Sequence, residues 1–162
     1  MLFRSNTDNS TIVVVAPRIL LANQLCSEFL ELIKNVCVIH VHSGETKHFS
    51  TTKPERIKLA VGMCDLAPTN RIIFTTYHSL HRVVESGIKV DTIYFDEAHN
   101  SVQRNFFAPT DYYSSMDGVR CFFFTAPPTH SATIFKPGMN DVAVYGNVIC
   151  NVFAPVLFEG GY

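Results

Sequence analysis

Residues 92–100, TIYFDEAHN, run from an apolar stretch straight into Asp96, Glu97, Ala98 and His99. A carboxylate held at the end of a rigid strand can bind a hydrated Mg²⁺ that bridges nucleotide phosphates. A second carboxylate beside it can orient or deprotonate an attacking water. His99 could hydrogen-bond a neighbouring strand end and report the state of the site. The same residues also suit a plain solvated turn or a helix N-terminus, where acidic side chains are common. Which chemistry applies depends on the elements that position them.

Strand-like apolar runs recur at 11–16 (TIVVVA), 36–41 (VCVIHV), 71–76 (RIIFTT), 91–96 (DTIYFD) and 119–125 (VRCFFFT). Between them lie helical patterns. Residues 18–33 place Leu21, Leu25, Phe29 and Leu32 at helical spacing, 54–63 begin with a proline, and 77–86 end at Gly87, a C-cap residue. Residues 45–54 read as loop, and two short apolar runs, VAVYG and VICNVF, surround Gly146. Continuous rather than alternating apolar strands suit a parallel sheet covered on both faces. The expected fold is therefore α/β, a doubly wound, mostly parallel sheet. In such sheets ligands bind beyond the carboxyl ends of the strands. Pro17-Arg18, Thr75-Thr76, Asp96-Glu97 and Thr125-Ala126 all fall at strand ends and should gather along one edge.

Four stretches together resemble the first RecA-like domain of a superfamily 2 helicase of the DEAH or DExH type, similar to restriction-enzyme motor subunits. FDEAHN resembles motif II, VVVAPRILLANQL (13–25) motif Ia, FTTYHSL (74–80) motif Ib with its surroundings, and FFFTAPP (122–128) motif III. The resemblance covers roughly residues 11–128 and implies a P-loop NTPase fold. It implies that Asp96 coordinates Mg²⁺ and Glu97 acts on the hydrolytic water. His99, with Thr125 and Ala126, would couple nucleotide state to the grip on nucleic acid. Pro17, Arg18, Gln24, Thr75, Thr76 and Ser79 would lie along a DNA or RNA phosphate backbone. Pro127 departs from the third position usual in motif III, where Thr is common.

The sequence contains no G-x-x-x-x-G-K-[ST] phosphate-binding loop. By the resemblance it corresponds to a domain lacking its phosphate-loop strand: residues 1–145 a partial ATP-binding domain, and 146–162 the start of a linker toward a second RecA-like domain. ATP and Mg²⁺ would belong to the full-length protein, and the isolated chain is expected to be inactive. In the family's sheet the missing strand lies beside the motif III strand. CFFF (121–124) should then lie on an exposed edge, or pair with the C-terminal runs or another chain. The competing readings are a restriction-enzyme translocating subunit, a non-enzymatic nucleic-acid-binding remnant, and an unrelated metal-dependent phosphatase.

Composition narrows these choices. The chain has 162 residues, 47% hydrophobic and 17% charged, enough for one domain with a real core. A net charge of −1 excludes a global pull toward nucleic acid, so any such binding must be local. Five cysteines, with no C-x-x-C pair, read as free thiols in a reducing compartment. No apolar stretch is long enough to span a membrane, and an intracellular protein is expected. His40 and His42 share one strand face without a third metal ligand nearby and read as strand-end residues.

Overall fold

A computed structural model describes residues 9–66, 69–125 and 138–150. Strand β1 (Thr11–Ala16) is buried along its whole length, as a central strand of a sheet covered on both faces must be. It pairs in parallel with β4 (Asn70–Thr76) on one side and β5 (Thr92–Phe95) on the other, with Val15 opposite Thr75 and Phe95. β2 (Val36–Val41) lies outside β4, and the two-residue β3 (Phe49–Ser50) outside β2. β6 (Arg120–Phe123) lies outside β5, giving the order β3-β2-β4-β1-β5-β6. The expected parallel, doubly wound sheet is thus the observed one.

Alternating side chains send the two sets of strand residues to opposite layers. Ile12, Val14 and Ala16 join Ile72 and Phe74 against Ala22 and Cys26 of helix α1 (Ile19–Leu32). Val13, Val15, Ile73, Ile93 and Phe95 face the other way. They pack with Ile57 and Val61 of α2 (Pro54–Cys64), Leu80 and Val83 of α3 (Leu80–Ser86), and Tyr113 of α4 (Arg104–Ser114). Gly87 takes the left-handed conformation (φ 67°) that closes α3. A single-turn α5 (Val142–Tyr145) lays Tyr145 edge-on against Phe123.

Three features depart from the sequence reading. β3 falls inside the stretch read as loop; its pairing, Ile39 opposite Phe49, is a tertiary event with no local signature. α4 was not anticipated, because Pro109 in its middle mimics a break. Burial of Pro109, Thr110 and Tyr113 outweighs the lost backbone bond. The expectation of five free thiols is corrected. A disulfide joins Cys37, early in β2, to Cys64, the last residue of α2, with Cα atoms 6.2 Å apart. The returning helix brings together two residues that are 27 apart in sequence. Cys26, Cys121 and Cys150 are free.

At the amino ends of the strands a polar floor ties the sheet together. Thr11 N–H donates to Asp91 Oδ2 at 2.8 Å. Arg71 is paired with Asp65 and donates to Thr11 Oγ1 and to the Asn9 carbonyl. That end is thus tied together by its own side chains. Among the described strands β6 borders only β5, which is the edge position expected for residues 121–124. No helix among the described residues is long and apolar enough to cross a membrane.

Candidate functional site

β5 delivers Asp96 and Glu97 directly to the carboxyl edge. Asp96 N–H continues the ladder to Val15 O at 2.9 Å, after which the chain turns sharply. Glu97 adopts φ 48°, a left-handed conformation unfavourable for a residue with a side chain. A short 3-10 helix, Ala98–Val102, follows. Ala98 N–H then reaches Phe124 O at 2.8 Å, tying the turn to the exit of β6.

Three of the side chains expected at this site, Glu97, His99 and Thr125, meet here beside Asp96. His99 Nδ1 lies 3.0 Å from Thr125 Oγ1 and 3.3 Å from Glu97 Oε2. Asp96 is half-buried beside exposed Glu97. Burial raises the Asp96 carboxyl above its ordinary range, and the neighbouring Glu97 charge adds to this, while the Glu97 backbone N–H opposes it. Such a carboxylate gains from a nearby cation that offsets both penalties. Among the described residues no group of three or more His, Cys, Asp or Glu could enclose a metal ion. The donor set fits Mg²⁺ held through one or two carboxylates, with waters and phosphates completing the shell. Ala126 lies outside the described residues.

The second expected group sits on the adjoining strand exits. Pro17 and Arg18 leave β1, with Arg18 exposed at the N-cap of α1. Thr75 and Thr76 end β4, and Ser79 is the N-cap of α3 with no capping bond from its hydroxyl. Not all are free to contact a ligand. Thr75 is fully buried and its hydroxyl donates to Val41 O at 2.9 Å, while Thr76 is only 4% exposed. Gln24 lies further along α1 and is hydrogen-bonded to Glu28 at 3.1 Å.

Two contributors escaped the sequence reading. Tyr77 lies within the quoted FTTYHSL stretch, yet its hydroxyl donates to Asp96 O at 2.7 Å. Ser101 Oγ bonds both Ala98 O (2.6 Å) and Tyr145 Oη (2.8 Å), fixing the 3-10 helix to α5. A tyrosine immediately after a strand's carboxyl end was the available signal for the first. The second joins residues 44 apart and had none. His40 and His42 are buried near the exit of β2, as strand-end residues, and hydrogen-bonded to each other.

The family model for the type III restriction enzyme, res subunit, matches residues 1–130. No curated protein sequence matches the chain. Among solved structures, the chain is similar to a nuclease-deletion mutant of the Type ISP restriction-modification enzyme LlaGI in complex with a DNA substrate mimic. The TM-score is 0.71 at 20% identity, over 86% of this chain and 13% of that one. It is also similar to the ATP-dependent Type ISP restriction-modification enzyme LlaBIII bound to DNA, with TM-score 0.66 at 17% identity, over 86% of this chain and 11% of that one. The chain therefore spans about one-eighth of the length of these structural relatives.

Proposed function

Because this chain belongs to the family of the type III restriction enzyme res subunit, we propose that it forms part of the first RecA-like domain of an ATP-driven translocase or helicase motor. The observation that carries the reading is one of position. Asp96, Glu97, His99 and Thr125 cluster at the exits of β5 and β6, and Arg18 and Thr76 stand at the adjoining exits of β1 and β4. The carboxylate chemistry and the phosphate-contacting chemistry thus share one edge of a rigid sheet.

In this reading Asp96 holds Mg²⁺ and Glu97 orients the attacking water. The bound ion would neutralise charge on the nucleotide phosphates. His99, Thr125 and Ala126 link that site to the nucleic-acid side. Pro17, Arg18, Gln24 and Ser79 follow a phosphate backbone beside the nearly buried Thr76, with Arg18 the strongest single contact because it is charged and exposed. Thr75 supports the same strand end from inside through Val41. Residues 1–145 form the domain, and 146–162 begin a linker. The structural relatives, bound to DNA or to a DNA substrate mimic, support DNA over RNA as the nucleic acid. Pairing of the β6 edge with another chain belongs to the same set of proposals.

The isotopically labelled chain provides the test. Mn²⁺, standing in for Mg²⁺, should broaden the Asp96 and Glu97 amide resonances, and Asp96→Ala should abolish the effect. A short DNA duplex should shift Arg18, Thr76 and Ser79, with binding that weakens steeply as salt rises. The 162 residues alone should not turn over ATP at a useful rate, because by the resemblance the arginine that completes the ATP site belongs to the second RecA-like domain, and going without it costs on the order of 10³–10⁵-fold. In a longer protein carrying the whole motor, Asp96→Ala and Glu97→Gln should abolish turnover. Mg²⁺-dependent phosphatase activity without any response to DNA would replace this reading with the hydrolase one.

A further inference from the structure

The turn carrying Asp96 and Glu97 hangs from the same strand as Tyr77. Tyr77 N–H bonds Ala16 O at 3.2 Å and Asp96 N–H bonds Val15 O at 2.9 Å, so the last two residues of β1 support both. β4 and β5 flank β1 on opposite sides. The Tyr77 side chain therefore crosses the end of β1, and its hydroxyl reaches Asp96 O. Its ring is 2% exposed and lies between Phe95 (centroids 6.3 Å apart) and Phe106 (5.9 Å), which leaves it little freedom to swing away.

The acceptor is the carbonyl of the peptide that joins Asp96 to Glu97. A trans peptide carries its C=O and N–H on opposite sides. Holding the carbonyl toward Tyr77 turns the Glu97 N–H away from it, on the side where it favours the charged Asp96 carboxylate. The same orientation sets the left-handed φ of 48° at Glu97, which lacks glycine's freedom to adopt it. An unfavourable backbone geometry persists only where its surroundings over-determine it.

We propose that Tyr77 is a positioning residue for the carboxylate pair: its hydroxyl locks the Asp96–Glu97 peptide plane and thereby the direction in which both carboxylates point. The bond also gives the β4 exit, where Thr76 and Ser79 lie, a direct mechanical link to the carboxylates one strand beyond β1. The inference rests on the motor reading for its significance, but its test contains neither nucleotide nor nucleic acid, so the two can fail separately.

Tyr77→Phe keeps the ring and removes only the donor. Ser86→Ala is the matched control, because it deletes another buried hydroxyl bond to a backbone carbonyl (Val83 O, 2.6 Å) without touching Asp96. In folded Tyr77→Phe the Glu97 amide resonance and its φ-reporting coupling should change. Amide exchange at Glu97 and Ala98 should quicken roughly tenfold, the scale of one lost buried hydrogen bond. Ser86→Ala should leave all three unchanged. Folded Tyr77→Phe with an unaltered Glu97, or the same change in both variants, would overturn the proposal. The unmutated chain supplies a check independent of how the variant folds. In mixed H₂O and D₂O the Tyr77 ring Cζ resonance should split, because the bonded hydroxyl exchanges slowly. A single averaged line would also overturn the proposal.

Discussion

The His99 ring nitrogen Nδ1 stands 3.0 Å from the Thr125 hydroxyl, bridging the exits of two adjacent strands. Glu97 Oε2 lies 3.3 Å from the same nitrogen. One ring nitrogen thus faces both a carboxylate oxygen and a hydroxyl, and the direction of the Thr125 bond follows the His99 tautomer. The His99 ring thus connects the residue proposed to orient water with the strand end proposed to sense nucleic acid.

Thr125→Val preserves shape and removes this partner. In a protein carrying the complete motor, DNA-stimulated ATP turnover should fall about fivefold, the equivalent of about 1 kcal/mol for one hydrogen bond. Thr125→Ser should recover most of it. Steady-state turnover with and without duplex measures the effect. Unimpaired turnover in the Val variant, with a loss in the Ser variant, would show that the methyl group, not the hydroxyl, matters.

The buried pair His40 and His42 predicts acid lability. Gly44 N–H donates to His42 Nδ1 at 3.2 Å, so His42 carries its proton on Nε2 and donates it to His40 Nδ1 at 3.0 Å. Both rings are then neutral, and His40 also stacks on His48 and Phe74. Burial, with the charges of His42 and His48, lowers His40 from 6.5 to about 4, and burial lowers His42 as well. Folded pKa values below the unfolded ones mean that stability is intact above pH 6.5. It is lost progressively as pH falls toward 4. At about 1.4 kcal/mol per unit, His40 alone accounts for about 3 kcal/mol. Asp96 has the opposite sign, since its raised carboxyl favours the folded state on acidification, but carboxylates titrate too low to cancel a loss that starts at 6.5. Denaturant midpoints between pH 7.5 and 4.5 should trace this fall, and His40→Asn should flatten it.

The Cys37–Cys64 bond predicts a redox-dependent stability. Closing a loop across 27 residues restricts the unfolded chain by about 3.5 kcal/mol in the chain-entropy account. Adding a thiol reductant should lower the denaturation midpoint accordingly, whereas a Cys37→Ser, Cys64→Ser double variant should be insensitive to it. Identical midpoints for the oxidised and reduced protein would mean that the bond does not form in solution.

How much of this was legible in the residues depends on the range of the interactions involved. β1 could be read because six consecutive buried residues need a sheet covered on both faces, and that pattern is local. Asp96, Glu97, His99 and Thr125 could be placed together because parallel strands deliver their carboxyl ends to one edge. The inward turn of the Thr75 hydroxyl had no signal, since a threonine at a strand end looks alike whether its hydroxyl faces a ligand or Val41 O. α4, the Cys37–Cys64 pairing and the Tyr77–Asp96 bond depend on how helices return across the sheet. No spacing within a single element encodes that.

The last prediction concerns the loop beside Arg18. A Cβ on Gly44 would stand 2.5 Å from Ile19 Cγ2 and 3.1 Å from its Cδ1. Glycine is therefore needed here for close approach, since the loop after β2 presses on the first turn of α1. Gly44→Ala should cost about 1–3 kcal/mol, the range for overpacking. Ile19→Ala removes the colliding atoms, so in that background the same substitution should cost well under about 1 kcal/mol, a coupling of about 1 kcal/mol or more between the two sites. Gly44 also donates to His42, so displacing the loop should loosen the histidine chain and raise the pH at which acid lability begins. Denaturant unfolding of the four proteins in the double-mutant cycle, at pH 7.5 and 5.5, measures both effects. Equal costs in the two backgrounds would mean that the backbone at residue 44, rather than contact with Ile19, excludes a side chain.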